Sequence, residues 1–217
     1  MTKKRNLTEL VFILDRSGSM SGLEKDTIGG FNSLIKKQQG EKGEALVSTV
    51  LFDNDSTVIY DRVPLHKVRP MTERNYYVKG CTALLDALGS AIRHIGNVHK
   101  YARPEDRPNK TMFIITTDGM ENSSHEYTYQ QVKQMVERQQ ESFDWEFLFL
   151  GANMDAVKTA GSFGIRKDRA VTYECDEKGT ALNYEVLGEA IQQVRATGCL
   201  VPEWKRKIEV DHQRRHR

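Results

Sequence analysis

The segment Asp15-Arg16-Ser17-Gly18-Ser19 carries a carboxylate and two hydroxyls on alternate residues, with a glycine that lets the backbone turn so that they converge. Two more oxygen donors, Thr82 in Gly80-Cys81-Thr82 and Asp118 in Thr117-Asp118-Gly119, sit at comparable turn-forming places. Carboxylate and hydroxyl oxygens without His or Cys suit a hard divalent cation such as Mg2+ or Mn2+, or Ca2+, and point away from zinc. Taken singly, each feature is ordinary: Asp and Ser populate loops, Thr82 suits a helix N-cap, and Asp-Gly is a common turn. A Mg2+-dependent phosphatase or phosphotransferase is the competing chemistry. It would need a nucleophilic Asp with a second carboxylate two residues on and a Lys for phosphate, but Ser17 stands at that place. No Gly-rich phosphate loop followed by Lys-Ser/Thr and no Ser-His-Asp or Cys-His arrangement is apparent, so binding without turnover is expected.

The elements that must position these donors are legible in the hydrophobic pattern. Residues 10–14, 47–52, 112–115 and 147–150 are short, nearly continuous apolar runs, the signature of strands buried on both faces. Helical stripes lie between them: Leu23, Thr27, Phe31 and Leu34, then Leu84, Leu88, Ala91, Ile95 and Val98. Val132, Met135 and Val136 mark a third helix, and Leu182, Val186, Leu187, Ala190, Ile191 and Val194 a last one. Asp53-Asn54-Asp55 leads at once into a second β-prone run, so residues 56–61 must pair antiparallel with the preceding strand. Residues 62–80 read as a loop. The other strands are separated by helices and should run parallel with right-handed crossovers.

The expected architecture is a doubly wound, Rossmann-like α/β three-layer sandwich. Its central six-stranded sheet is mostly parallel, with one antiparallel edge strand and helices on both faces. One domain is expected over residues 1–198, followed by a short basic tail, 199–217. In such sheets ligands bind at the carboxyl ends of the strands where the strand order reverses. Asp15 and Asp118 both follow strand ends, and Thr82 opens a helix near Ala83.

The stretch Val11-Phe12-Ile13-Leu14-Asp15-Arg16-Ser17-Gly18-Ser19-Met20 resembles the first motif of the von Willebrand factor type A (vWA) family, Asp-x-Ser-x-Ser after an apolar strand. A Thr at the start of a later helix and an Asp after the fourth strand complete that family's metal-ion-dependent adhesion site (MIDAS). Asp15, Ser17, Ser19, Thr82 and Asp118 match it, and the similarity in layout runs over about residues 7–197. The resemblance is to the stand-alone cytoplasmic type of bacteria and phages. It implies one cation per domain, held directly by Ser17 and Ser19, largely through water by Asp15 and Asp118, and directly or through water by Thr82. It further implies an open coordination position that captures an Asp or Glu carboxylate of a protein partner, and movement of the last helix, residues 180–197. A scaffold role, docking on a larger ATPase or stress-response assembly, differs only in the partner.

Composition sets the outer bounds. Of 217 residues 38% are hydrophobic and 29% charged, ordinary for a globular protein, and no apolar run approaches the ~20 residues that span a bilayer. Lys3, Lys4 and Arg5 precede Leu7 as in a signal peptide. Glu9 and Asp15 interrupt the apolar stretch, however, and no small-residue cleavage site follows, so a cytoplasmic location is expected. The net charge of +2 is segregated: residues 203–217 carry +3 and the remainder −1. Such a basic end reads as solvated, and no nucleic-acid or membrane partner is expected. Cys81, Cys175 and Cys199 show no zinc or disulfide spacing and read as buried thiols. His66, His94, His99 and His125 read as solvated, Glu121-Asn122 as the start of the next helix in preference to the rim of the site, and Gly29-Gly30 as a close approach of a helix to the sheet.

Overall fold

The computed structural model describes residues 6–216. Lys3, Lys4, Arg5 and Arg217 therefore lie outside the described residues. Six strands form one sheet in the order β3-β2-β1-β4-β5-β6. They are β1 (Leu7–Asp15), β2 (Glu44–Phe52), β3 (Ser56–Pro64), β4 (Lys110–Thr117), β5 (Glu146–Ala152) and β6 (Ala170–Tyr173). Only β3 runs antiparallel, against β2, where irregular register between Val47 and Val50 accompanies a positive φ at Arg62. Every residue of β1 and β4 is buried, as continuous apolar runs require. Along β1, Leu10, Phe12 and Leu14 face one hydrophobic layer while Val11 and Ile13 face the other.

The first layer is closed by α1 (Glu24–Gln39), α5 (Glu177–Thr197) and α6 (Arg206–Arg215), the second by α2 (Leu84–Tyr101), α3 (Tyr129–Phe143) and α4 (Ala156–Ser162). The doubly wound, mostly parallel architecture is thus as expected. β1 and β4 lie side by side in parallel, with Leu14 opposite Thr116, and the strand order reverses between them.

Several local expectations are corrected. The loop expected over 62–80 yields its first residues to β3, which continues to Pro64, and a 3-10 turn follows at Leu65–Lys67. The close approach at Gly30 is to α5 and not to the sheet: a Cβ there would lie 2.1 Å from the Tyr184 ring, whereas one on Gly29 meets nothing within 4 Å. His99 is not solvated, since it bonds the carboxylate of Glu9, which is fully buried on β1 and also held by Arg62. Cys81 and Cys199 are exposed and Cys175 is half-buried, so none is a core thiol.

The basic end is not a solvated tail. Trp204 and Ile208 join the hydrophobic layer of α5, and the Trp204 indole donates to the carbonyl of Asp168 at 2.9 Å. Its charges find partners distant in sequence: Lys207 pairs with Glu185 and Glu189 of α5 at 3.0 and 2.6 Å, and Arg215 with Asp176 at 2.5 Å. The positive charge of this segment complements an acidic flank of the domain, which a count along the chain does not reveal.

Candidate metal centre

Asp15 is the last residue of β1 and is 1% exposed. Its Oδ1 accepts the backbone N–H of Ser17 at 2.7 Å, and its Oδ2 accepts the hydroxyl of Thr117, at the end of β4, at 2.5 Å. Its carbonyl accepts the phenol of buried Tyr76 at 2.5 Å. Arg16 turns away from the carboxylates. It reaches Asp53 at 2.5 Å and Thr57 at 2.9 Å, tying the turn after β1 to the β2–β3 hairpin, and stacks over Tyr77. Gly18 N–H bonds the Gly80 carbonyl at 3.0 Å, which brings the Thr82 segment alongside.

Thr82 is fixed by the loop that follows β4. Its N–H donates to the Asn122 side chain at 2.9 Å, and Asn122 N–H returns a bond to the Thr82 carbonyl at 3.0 Å. Glu121 accepts from the backbone of Leu85 at the start of α2, and from Ser123 and Ser124 of its own loop. Asp86 on α2 accepts from the backbone of His125, Glu126 and Tyr127 in return. Glu121 and Asn122 thus do not begin a helix; α3 starts later, under a capping box at Thr128. They lie beside the cluster, as the rim reading has it, with Asn122 bonded to Thr82 and Glu121 to Leu85, partners 40 and 36 residues away.

All five expected donors come together. Ser17 and Ser19 hydroxyls are 3.1 Å apart, and Ser19 donates to Asp118 Oδ1 at 2.5 Å. The point a Cβ on Gly119 would occupy lies 2.8 Å from Thr82 Oγ1, 3.1 Å from Ser19 Oγ and 3.7 Å from Ser17 Oγ. Three hydroxyls from two separate segments therefore converge on one spot that only a glycine leaves free. Asp15, Ser17, Thr82 and Asp118 are buried while Ser19 is exposed, so the cluster has a closed floor and an accessible mouth.

The electrostatics fit a cation. Asp15 and Asp118 are both buried, and among the described residues neither is ion-paired to a Lys, Arg or His. Burial pushes the Asp15 carboxyl up to about 6, against the hydrogen bonds of Thr117 and Ser17, with the charge of Asp118 adding to the rise. Buried carboxylates in proteins are ordinarily paired or bound to metal. Cys175, just beyond β6, was not expected here: its thiol donates to Asp118 Oδ2 at 3.5 Å, and burial, then Asp118, pushes it up to about 12. At four residues including polar Thr172, β6 is too short to show a strand period, so nothing in the sequence placed Cys175 beside the cluster.

No family model matches the chain's sequence, and no curated protein matches it. Its shape does have relatives. A point mutant of the PilB minor pilin from Streptococcus sanguinis superposes with a TM-score of 0.61 over 92% of this chain at 12% identity. A von Willebrand factor type A protein from Catenulispora acidiphila does so at 0.56 over 85% and 15% identity, and the ArnB paralog VWA2 from Sulfolobus acidocaldarius at 0.52 over 84% and 18%. The chain spans 64%, 42% and 44% of those proteins' lengths, respectively. At such identities the likeness is one of fold, and the fold is vWA-like. Among the described residues no helix is long and apolar enough to cross a membrane.

Proposed function

We propose that the protein is a protein-binding module that holds one divalent cation, Mg2+ or Mn2+ or Ca2+, in a MIDAS formed by Asp15, Ser17, Ser19, Thr82 and Asp118, and uses it to capture an acidic side chain of a partner. The convergence of three hydroxyls beside Gly119, with Asp118 bonded to Ser19 and buried Asp15 bonded to the backbone of Ser17, carries this reading. An all-oxygen donor set with neutral hydroxyls nearest the centre suits Mg2+, which keeps several waters and prefers octahedral geometry. Bound there, the cation would supply an electrophilic position for a carboxylate at the mouth of the site. Asp15 and Asp118 would set its net charge, and Thr117, Asn122 and Glu121 would orient the donors, as outer partners of metal ligands do. The vWA-like fold supports the same reading, since such domains commonly serve as interaction modules. We assign no turnover to the cluster. Three free thiols, two of them exposed, accord with a cytoplasmic home.

Calorimetric titration of the protein with Mg2+ and with Mn2+, beside Asp15→Ala and Ser17→Ala, tests the site. Loss of binding in both variants is expected, and equal binding by all three proteins removes the basis for the proposal. Carboxylate capture is tested by comparing partner recovery with and without EDTA and with Asp118→Ala.

A further inference from the structure

We propose that Glu174, His212 and His216 form a second cation site, chemically distinct from the oxygen cluster, that takes one borderline transition metal such as Zn2+ and staples α6 to the end of β6. Glu174 follows β6 directly, His212 lies in the last turn of α6, and His216, four residues on, is the residue that ends that helix. His212 Nδ1 bonds Glu174 Oε1, His216 Nε2 reaches the same oxygen at 2.7 Å, and the imidazole centroids are 4.4 Å apart. The three ligand atoms lie within 4.8 Å of one another. A zinc ion bound at about 2.0–2.2 Å to each ligand in a tetrahedral array spaces them roughly 3.3–3.6 Å apart, so Glu174 would draw back from each imidazole by about 1 Å to admit it.

The donor chemistry selects the ion. Two imidazoles and one carboxylate form a set used for Zn2+, with a fourth position left to water or another ligand. Imidazole suits Zn2+, Cu2+, Ni2+ and Co2+, whereas Mg2+ prefers oxygen, so the two clusters should sort metals between them. The site also has a base to act on. Trp204 and Ile208 already seat this segment in the core, and Arg215 is tied to Asp176, so His212 is presented on an anchored helix and His216 at its end. Glu174 and Cys175 are neighbours, and Cys175 touches Asp118, so the two clusters meet through one dipeptide.

The test is a Zn2+ titration by calorimetry in excess Mg2+, which on the reading above would fill the oxygen cluster, while the Glu174 and His variants make the result independent of that reading. The wild-type chain should bind one Zn2+. His212→Ala with His216→Ala should weaken that binding by more than the roughly 10–100-fold that loss of an outer partner costs a metal site. E174Q keeps the side-chain shape, and should weaken Zn2+ binding while circular dichroism shows an unchanged fold. With Co2+ as probe, visible d–d absorption should appear without sulfur-to-metal charge transfer. Undiminished Zn2+ binding by the His variant and E174Q, a thiolate charge-transfer band, or no Zn2+ bound by the wild type would each overturn the proposal, leaving an ion-pair cluster.

Discussion

Gly119→Ala is the sharpest perturbation of the oxygen cluster, because it adds one methyl where the hydroxyls converge. Gly119 is not among the glycines with positive φ, so alanine meets no backbone strain there. The methyl would instead stand 2.8 Å from Thr82 Oγ1 and 3.1 Å from Ser19 Oγ, closer than van der Waals contact allows. Those hydroxyls must swing away, at an overpacking cost of about 1–3 kcal/mol, so the variant should still fold. Cation binding should disappear, because Mg2+ demands near-ideal donors at about 2.0–2.1 Å. In the wild type, Mg2+ at a hundred times its Kd adds about 2.7 kcal/mol of stability. For a chain of this size that corresponds to a rise in Tm of roughly 5–11 °C. Thermal melts of both proteins in EDTA and in Mg2+ give the readout. The wild type should show that increment and Gly119→Ala none. An equal increment in the variant would refute the placement of the cation beside Gly119.

Other consequences can be checked in the same way. Because burial raises the Asp15 carboxyl from 3.8 to about 6, the native state holds that proton more tightly than the unfolded chain. The resulting stability is full below pH 4 and is lost as pH rises through 6, so metal-free protein should lose roughly 3 kcal/mol across that window from this group. Mg2+ should offset the loss, and a metal-free Tm that climbs between pH 4.5 and 7 would contradict it. Glu121→Ala removes a charged acceptor from the start of α2 and should cost about 1.5–3 kcal/mol, with Mg2+ affinity, read by calorimetry, falling as Thr82 loosens. Ile208→Ala should destabilise by about 2–5 kcal/mol in chemical denaturation, where a solvated tail would give almost no change. Gly30→Ala should destabilise through its collision with Tyr184, whereas Gly29→Ala, in open space, should stabilise by about 0.5–1 kcal/mol.

What the sequence discloses depends on how local its cause is. Continuous apolar runs reveal β1, β2, β4 and β5 because burial on both faces leaves no polar alternation to hide them. The five oxygen donors are legible because each follows a strand or opens a helix, and the topology then brings those ends together. The remainder depends on contacts far apart in sequence. α4 and β6, at seven and four residues, are too short to show a period, so the expected sixth strand could not be located. Glu9 sits in an apolar strand with no outward sign that His99 and Arg62, 90 and 53 residues on, will partner it.

The same distinction governs the charges, and it bears on function. Along the chain Arg16 looks like the natural counter-ion of the site, flanked by Asp15 and Ser17. In the fold Asp53 and Thr57 hold its guanidinium on the hairpin side. That leaves Asp15 and Asp118 buried, the charge of Asp118 disfavouring ionised Asp15, and both bonded among the described residues to hydroxyls, an amide and a thiol. On the proposed reading, drawing Arg16 away is what would give a divalent cation a reason to bind. An arginine folded back over the carboxylates would neutralise them permanently and fill the mouth beside Ser19. The proposed site, with an open coordination position on its cation, would need its own arginine tethered elsewhere, and the 2.5 Å contact to Asp53 does that.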